Sequence, residues 1–88
     1  MNQFQIRPDS REEGDKIVRE LGGFGYTRAS DLIYDPETRR MIDDHHEQYP
    51  VIICREDGSI TNMDYITADL SIEEFPIVSV EDVIRGRI

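Results

Sequence analysis

Tyr49 to Arg55 is the segment that most restricts the fold. Val51, Ile52 and Ile53 at its centre are β-branched, which favours a strand. Glu56-Asp57-Gly58-Ser59 follows, and Asp-Gly is the strongest short-range signal for a hairpin turn. Ile60 to Ile66 then reads as the returning strand. A chain of 88 residues has room for one domain, so the other elements must pack around this hairpin.

Residues 3–7 read as a strand, because Phe4 and Ile6 alternate with Gln3, Gln5 and Arg7. Pro8-Asp9 breaks it. Ser10 with Glu13 three residues on forms a capping-box pattern, which predicts a helix from Arg11 to Glu20. Its inner face is Gly14, Ile17, Val18 and Leu21, and Gly22-Gly23 is the expected stop. Phe24 to Arg28 reads as a short strand, with Leu32-Ile33-Tyr34 as a second strand or its continuation. Asp35-Pro36-Glu37-Thr38 reads as a turn from which Arg39 to Ile42 returns as a hairpin arm. Asp43 to Gln48 is polar and reads as a loop, and residues 67–76 as irregular and acidic. Ile77-Val78 is expected as an edge strand. Ser79 is expected to cap a last helical turn, with Val80, Val83 and Ile84 pointing inward. The predicted fold is α+β: one main helix packed on a small antiparallel sheet of about four strands in β-α-β-β-β order, with a short C-terminal helical turn. An open sheet edge would also allow a homodimer.

Charge divides the chain unevenly. Residues 1–42 carry 8 acids and 7 bases, whereas residues 43–84 carry 11 acids against Arg55 alone, and the whole chain has a net charge of −9. Such a field repels nucleic acid and anionic membranes and attracts basic surfaces. No apolar run approaches the ~20 residues that span a bilayer. The single cysteine, Cys54, cannot form an internal disulfide, which fits a reducing compartment such as the cytoplasm.

Few residues suggest chemistry. Asp43-Asp44-His45-His46-Glu47 has metal-ligand residue types, but adjacent histidines lack the i, i+4 spacing of a helical pair, so a solvated loop is expected. Cys54 lies in an apolar strand and reads as a small buried side chain. Gly22-Gly23-Phe24-Gly25 follows a helix instead of opening one, the wrong polarity for a phosphate loop. Glu73-Glu74 and Glu81-Asp82 read as solvated acids. Arg28, Arg39 and Arg40 form a small basic island, expected to pair with nearby acids or to mark a second contact of opposite charge. The expectation is a module with no catalytic residue and no cofactor.

Leu21-Gly22, Gly25-Tyr26, the Tyr49 to Cys54 run, Asp57-Gly58, and Ile77 with Ser79-Val80-Glu81-Asp82 together form a pattern along nearly the whole chain. It resembles that of small phage-encoded accessory proteins of unassigned role. The tryptophan that often follows the Gly-Tyr pair in such proteins is absent, and the stretch from Asp35 to Gln48 is particular to this chain. The resemblance implies a virus-encoded protein that acts on a host protein, as an inhibitor or anti-defence factor.

The residues and the resemblance converge on an acidic protein-binding module that docks on a basic surface of a larger protein, with no direct nucleic-acid or membrane binding. Glu56, Asp57, Asp64, Asp69, Glu73 and Glu74 are expected to supply long-range attraction, and Tyr49 and Tyr65 short-range contact. An immunity or antitoxin-like protein that neutralises a basic toxin would use the same surface physics. Either reading requires the carboxylates of residues 43–84 to gather on one face.

Overall fold

A computed structural model describes residues 1–43 and 45–88. In chain order the elements are β1 (Phe4–Ile6), α1 (Arg11–Gly23), β2 (Ile33–Asp35), β3 (Arg40–Ile42), α2 (His45–Gln48), β4 (Val51–Cys54), β5 (Ile60–Met63), α3 (Tyr65–Ser71) and α4 (Val80–Ile84). The chain is α+β. Its main sheet is antiparallel in the order β1-β4-β5, and β2 and β3 pair as a separate two-stranded sheet.

The central strand β4 is buried at every position. Successive side chains of a strand point to opposite faces, and the two faces feed two cores. Ile52 and Cys54 join Phe4, Ile6, Tyr26 and Ile60 against Ile17 and Leu21 of α1 and Val83 of α4. Val51 and Ile53 face the other way, onto Ala68 of α3 and Ile72 and Phe75 beyond it. The sheet is therefore the middle of three layers. Its second face is covered by α3 and the segment after it, where an irregular stretch was expected.

That difference has a local cause. Asp64 does not continue the strand; its carboxylate accepts a hydrogen bond from the Thr67 amide at 2.6 Å and caps α3. The helix needs only Ala68 and Ile72 facing inward to be held on the sheet. The same logic corrects residues 43–48. They are not all loop, because His45–Gln48 forms one helical turn beside α1 and both histidines are half-buried. Asp44 lies outside the described residues.

α1 starts as read, with Ser10 Oγ accepting from the Glu13 amide. Glu13 reaches back to the Asp9 amide, one residue before the cap. The helix ends at Gly23 with Phe24 as its C-cap, and Gly25 follows in the left-handed conformation at φ 93°. The amides of Gly25 and Tyr26 bond to the carbonyls of Gly22 and Leu21, and Tyr26 packs in the same core as Leu21.

Phe24 to Arg28 is not a strand. Only Thr27 touches the sheet, in a single parallel bridge to Ser59. The β4–β5 turn also differs in detail. The Gly58 amide closes on the Arg55 carbonyl, so Glu56 and Asp57 are the central residues, and Gly58 follows at φ 86° as the left-handed bulge residue.

Both outer edges of the sheet are partly occupied. On β1, the Gln5 amide bonds to the Pro76 carbonyl and the Val78 amide to the Gln5 carbonyl, both at 2.9 Å, which places Ile77 in a parallel bridge. On β5, the Ile60 amide bonds to the Thr27 carbonyl. Ser79 caps α4 as expected, through the Asp82 amide. No helix among the described residues is long and apolar enough to cross a membrane.

Candidate functional site

α3 carries the most unusual surface of the protein. Four residues apart on its outer side, Ile66 is 74% exposed and Leu70 80% exposed. Isoleucine and leucine at such exposure on adjacent helical turns form an apolar stripe in water. Asp69 lies beside this stripe on the helix, and Glu73 and Glu74 follow it in the turn after the helix. At the other end, Ile66 borders an open groove of about 460 Å³ lined also by Glu47, Pro50, Asp64 and Tyr65.

The stripe is held in place from below by a polar network. Gln5, almost fully buried, donates from Nε2 to the carbonyls of Ile72 and Phe75. Its Oε1 accepts from Arg7 Nε and NH2. Arg7 in turn bonds to Asp69 at 2.6 Å and covers the ring of Tyr65, with the guanidinium carbon 5.6 Å from the ring centroid. Every polar atom of the Gln5 side chain is therefore used, which is the condition for burying an amide without loss.

The residues predicted from sequence take separate roles around this face. Asp64 caps α3, and the Thr67 amide and hydroxyl hold its carboxyl below the ordinary value. Asp57 organises the hairpin turn through the Ser59 amide, and its hydrogen bonds to Ser59 likewise lower its pKa. Glu56 is exposed in the same turn. Asp69 is engaged by Arg7. Glu73 and Glu74 are exposed acids. Tyr65 flanks the stripe. Tyr49 is turned away from this role: it is half-buried, and burial, then the Asp35 carboxylate beside its hydroxyl, raises its pKa.

The described carboxylates of residues 43–84 are divided between the two sides of the sheet. Glu81 and Asp82 belong to α4, on the α1 side of the sheet, and Glu81 pairs with Arg85. On the α3 side, Arg7 and the Arg55 guanidinium over the Phe75 ring interrupt the acids. What the structure adds, and sequence reasoning missed, is the Ile66–Leu70 stripe. The sequence did hold a signal for it. Asp64 with Thr67 is a capping pattern, and Ala68 and Ile72 lie on one helical face with Ile66 and Leu70 off it.

A second polar cluster lies on the α1 side. Arg28 bonds through NH2 to Asn62 Oδ1 and through NH1 to His45 Nδ1 at 3.2 Å. The expected pairing of Arg28 with acids is not what forms; its hydrogen-bond partners are uncharged. Arg28, His45 and His46 line a cavity of about 10 Å³. Among the described residues no group of three or more His, Cys, Asp or Glu side chains has the arrangement of a metal site. Cys54 is fully buried in the α1-side core, and burial pushes its thiol up to about 12.

No protein-family model, curated protein or solved structure matches this chain.

Proposed function

We propose that this protein is a binding module that docks through the α3 face on a basic surface of a larger protein, acting there as an inhibitor or adaptor. The observation that carries this reading is the exposed Ile66–Leu70 stripe with Asp69, Glu73 and Glu74 beside it. Apolar side chains at the centre of a patch supply the short-range energy of association, and a rim of one charge sign speeds the approach of a partner of the other sign. The resemblance to phage accessory proteins makes a host protein the natural partner, including one whose basic surface otherwise holds nucleic acid.

The stripe replaces the broad anionic face as the physical basis of docking. Charge alone would give an encounter that salt abolishes. An apolar centre gives a complex that keeps part of its affinity when the charges are screened. Self-association along the sheet has less free backbone to use, because Pro76 to Val78 and Thr27 already bond to its outer strands.

The test is affinity capture from host lysate with the wild-type chain and with an Ile66→Ser, Leu70→Ser double variant, each at low and high salt. The expected result is a discrete partner held by the wild type and depleted at least tenfold by the double variant, on the scale of two interface anchors at more than about 1 kcal/mol each. Identical capture by the two proteins would overturn the reading.

A further inference from the structure

Thr27 lies along the outer edge of β5 for a single step. Its amide bonds to the Gly58 carbonyl at 2.8 Å, and its carbonyl accepts from the Ile60 amide at 2.9 Å. These are two bonds of a parallel ladder, and the ladder stops there. Its next two bonds would run from the Ala29 amide to the Ile60 carbonyl and from the Asn62 amide to the Ala29 carbonyl, and neither forms. Successive residues of an antiparallel strand turn their backbone groups to its two neighbours in alternation. The Ile60 amide points outward to Thr27, so the Ile60 carbonyl and the Asn62 amide and carbonyl point outward too. Among the described residues these three groups have no backbone partner.

Where the chain leaves β5 it opens a groove of about 340 Å³, lined by Ile60, Thr61 and Asn62 of β5 and by Leu32, Ile33 and Tyr34 at β2. Consecutive side chains of a strand leave it on opposite faces. A groove that meets three residues in a row therefore runs along a strand's edge. The other edge of β5 is held by β4, and that of β2 by β3. The groove thus separates the open edges of the two sheets. Leu32 and Tyr34 are exposed, and so is Met41, which stands opposite Tyr34 across the hairpin and carries the apolar surface onward.

We propose that this groove receives an extended segment of a partner protein, which adds to the outer edge of β5 and sets apolar side chains against Leu32 and Tyr34. Open amides and carbonyls at strand spacing select an extended main chain, because the backbone groups of a helix are already paired with one another. Main-chain bonds to Ile60 and Asn62 hold the segment, and every second side chain of it faces the same wall. A second copy of the protein is the poorer occupant, since two chains of net charge −9 repel each other. The same field selects a segment with no net negative charge. The groove shares no lining residue with the one beside Ile66, so this contact is independent of docking through α3. Three open groups make it a short contact of modest affinity.

A random peptide display library is selected on the immobilised full chain, and the enriched peptides are added to isotope-labelled protein for amide hydrogen exchange. The enriched peptides are expected to alternate apolar residues and to carry no net negative charge. At saturation they are expected to slow exchange of the Asn62 amide at least about tenfold. Methylating the peptide's backbone nitrogens one at a time keeps its side chains and removes one donor each. Binding is expected to weaken about tenfold at alternate positions, the scale of one lost backbone hydrogen bond. Leu32→Ser with Tyr34→Ser removes the exposed apolar wall without touching the core and is expected to weaken binding to a similar degree. Ile66→Ser with Leu70→Ser is expected to leave peptide binding unchanged, which separates this site from the α3 face. No enrichment over the Leu32→Ser, Tyr34→Ser variant, or enriched peptides that leave exchange of the Asn62 amide unaltered, would overturn the proposal.

Discussion

Gln5 Oε1 accepts two hydrogen bonds from Arg7, at 3.1 Å from Nε and 2.9 Å from NH2. Residues i and i+2 of a strand share a face, so the pair stands together under α3. The amide of Gln5 ties the segment after α3 to the sheet, and the guanidinium of Arg7 ties the helix itself through Asp69. Replacing Gln5 by Leu keeps the bulk but leaves the Phe75 carbonyl without that donor and strips Arg7 of its acceptor. A loss of about 2 kcal/mol is expected in denaturant unfolding, because the Phe75 carbonyl is left without a donor beneath the segment that follows α3.

The two components of the α3 face separate kinetically. Glu73→Gln with Glu74→Gln is expected to slow association with the partner and flatten its salt dependence, while dissociation changes little. Ile66→Ser is expected to do the reverse and speed dissociation. All three side chains are exposed, so neither change should move stability by more than about 0.5 kcal/mol. Surface plasmon resonance at two ionic strengths distinguishes them.

Asp64→Ala removes the cap of α3 and is expected to cost about 1 kcal/mol, whereas Asp64→Asn, also a good cap, is expected to cost less. The Asp64 carboxyl is held below its ordinary value of 3.8 by the Thr67 amide and hydroxyl. A depressed carboxyl contributes stability above its unfolded pKa and loses it as the pH falls through the folded one. The difference between wild type and Asp64→Ala should therefore shrink below about pH 4, as followed by circular dichroism across an acid series.

His45 acts in a different pH window. Its folded pKa lies below the ordinary 6.5, chiefly through burial and then through Arg28, with Asp15 and Asp31 opposing. The unfolded chain therefore binds more protons than the native one as the pH drops below about 6.5. Stability should fall from there down to the folded pKa and then level off, as far as this group is concerned. His45→Gln is expected to flatten that part of the curve and leave the Asp64 part unchanged, as followed by circular dichroism across the same pH series.

Cys54 is predicted to be silent. A fully buried thiol with its pKa raised to about 12 carries almost no thiolate at neutral pH. Reaction with a disulfide reagent should proceed only at the rate of opening of the whole fold. Fast stoichiometric labelling of the native protein would contradict this placement.

The hairpin at residues 49–66 was legible because β-branching and the Asp-Gly pair are local signals. The cap at Ser10 was legible for the same reason. The end of α1 at Gly22-Gly23 was legible too, but not which glycine takes the left-handed conformation, since any of three nearby ones can. Burial of Leu21 and Tyr26 in one core selects Gly25. α3 was missed because its inward face is only Ala68 and Ile72, too sparse for a periodicity reading. The roles of Asp64 and Asp69 followed the same pattern. Their charge was visible in the sequence, but the Thr67 amide and Arg7 that occupy them arrive only with the fold. The cavity at Arg28 joins residues 17 and 34 positions apart, and no spacing rule finds such a group.

Gln5 bonds to the carbonyls of Ile72 and Phe75 across 67 and 70 positions of chain. Closing a loop of that size costs about 4 kcal/mol of chain entropy. β4 seats one edge of β1 through residues 52–54, and only residues 72–78 close the other. Folding should wait on this encounter of distant segments, and its rate should answer to substitutions at residues 72–76 more than to those in α1.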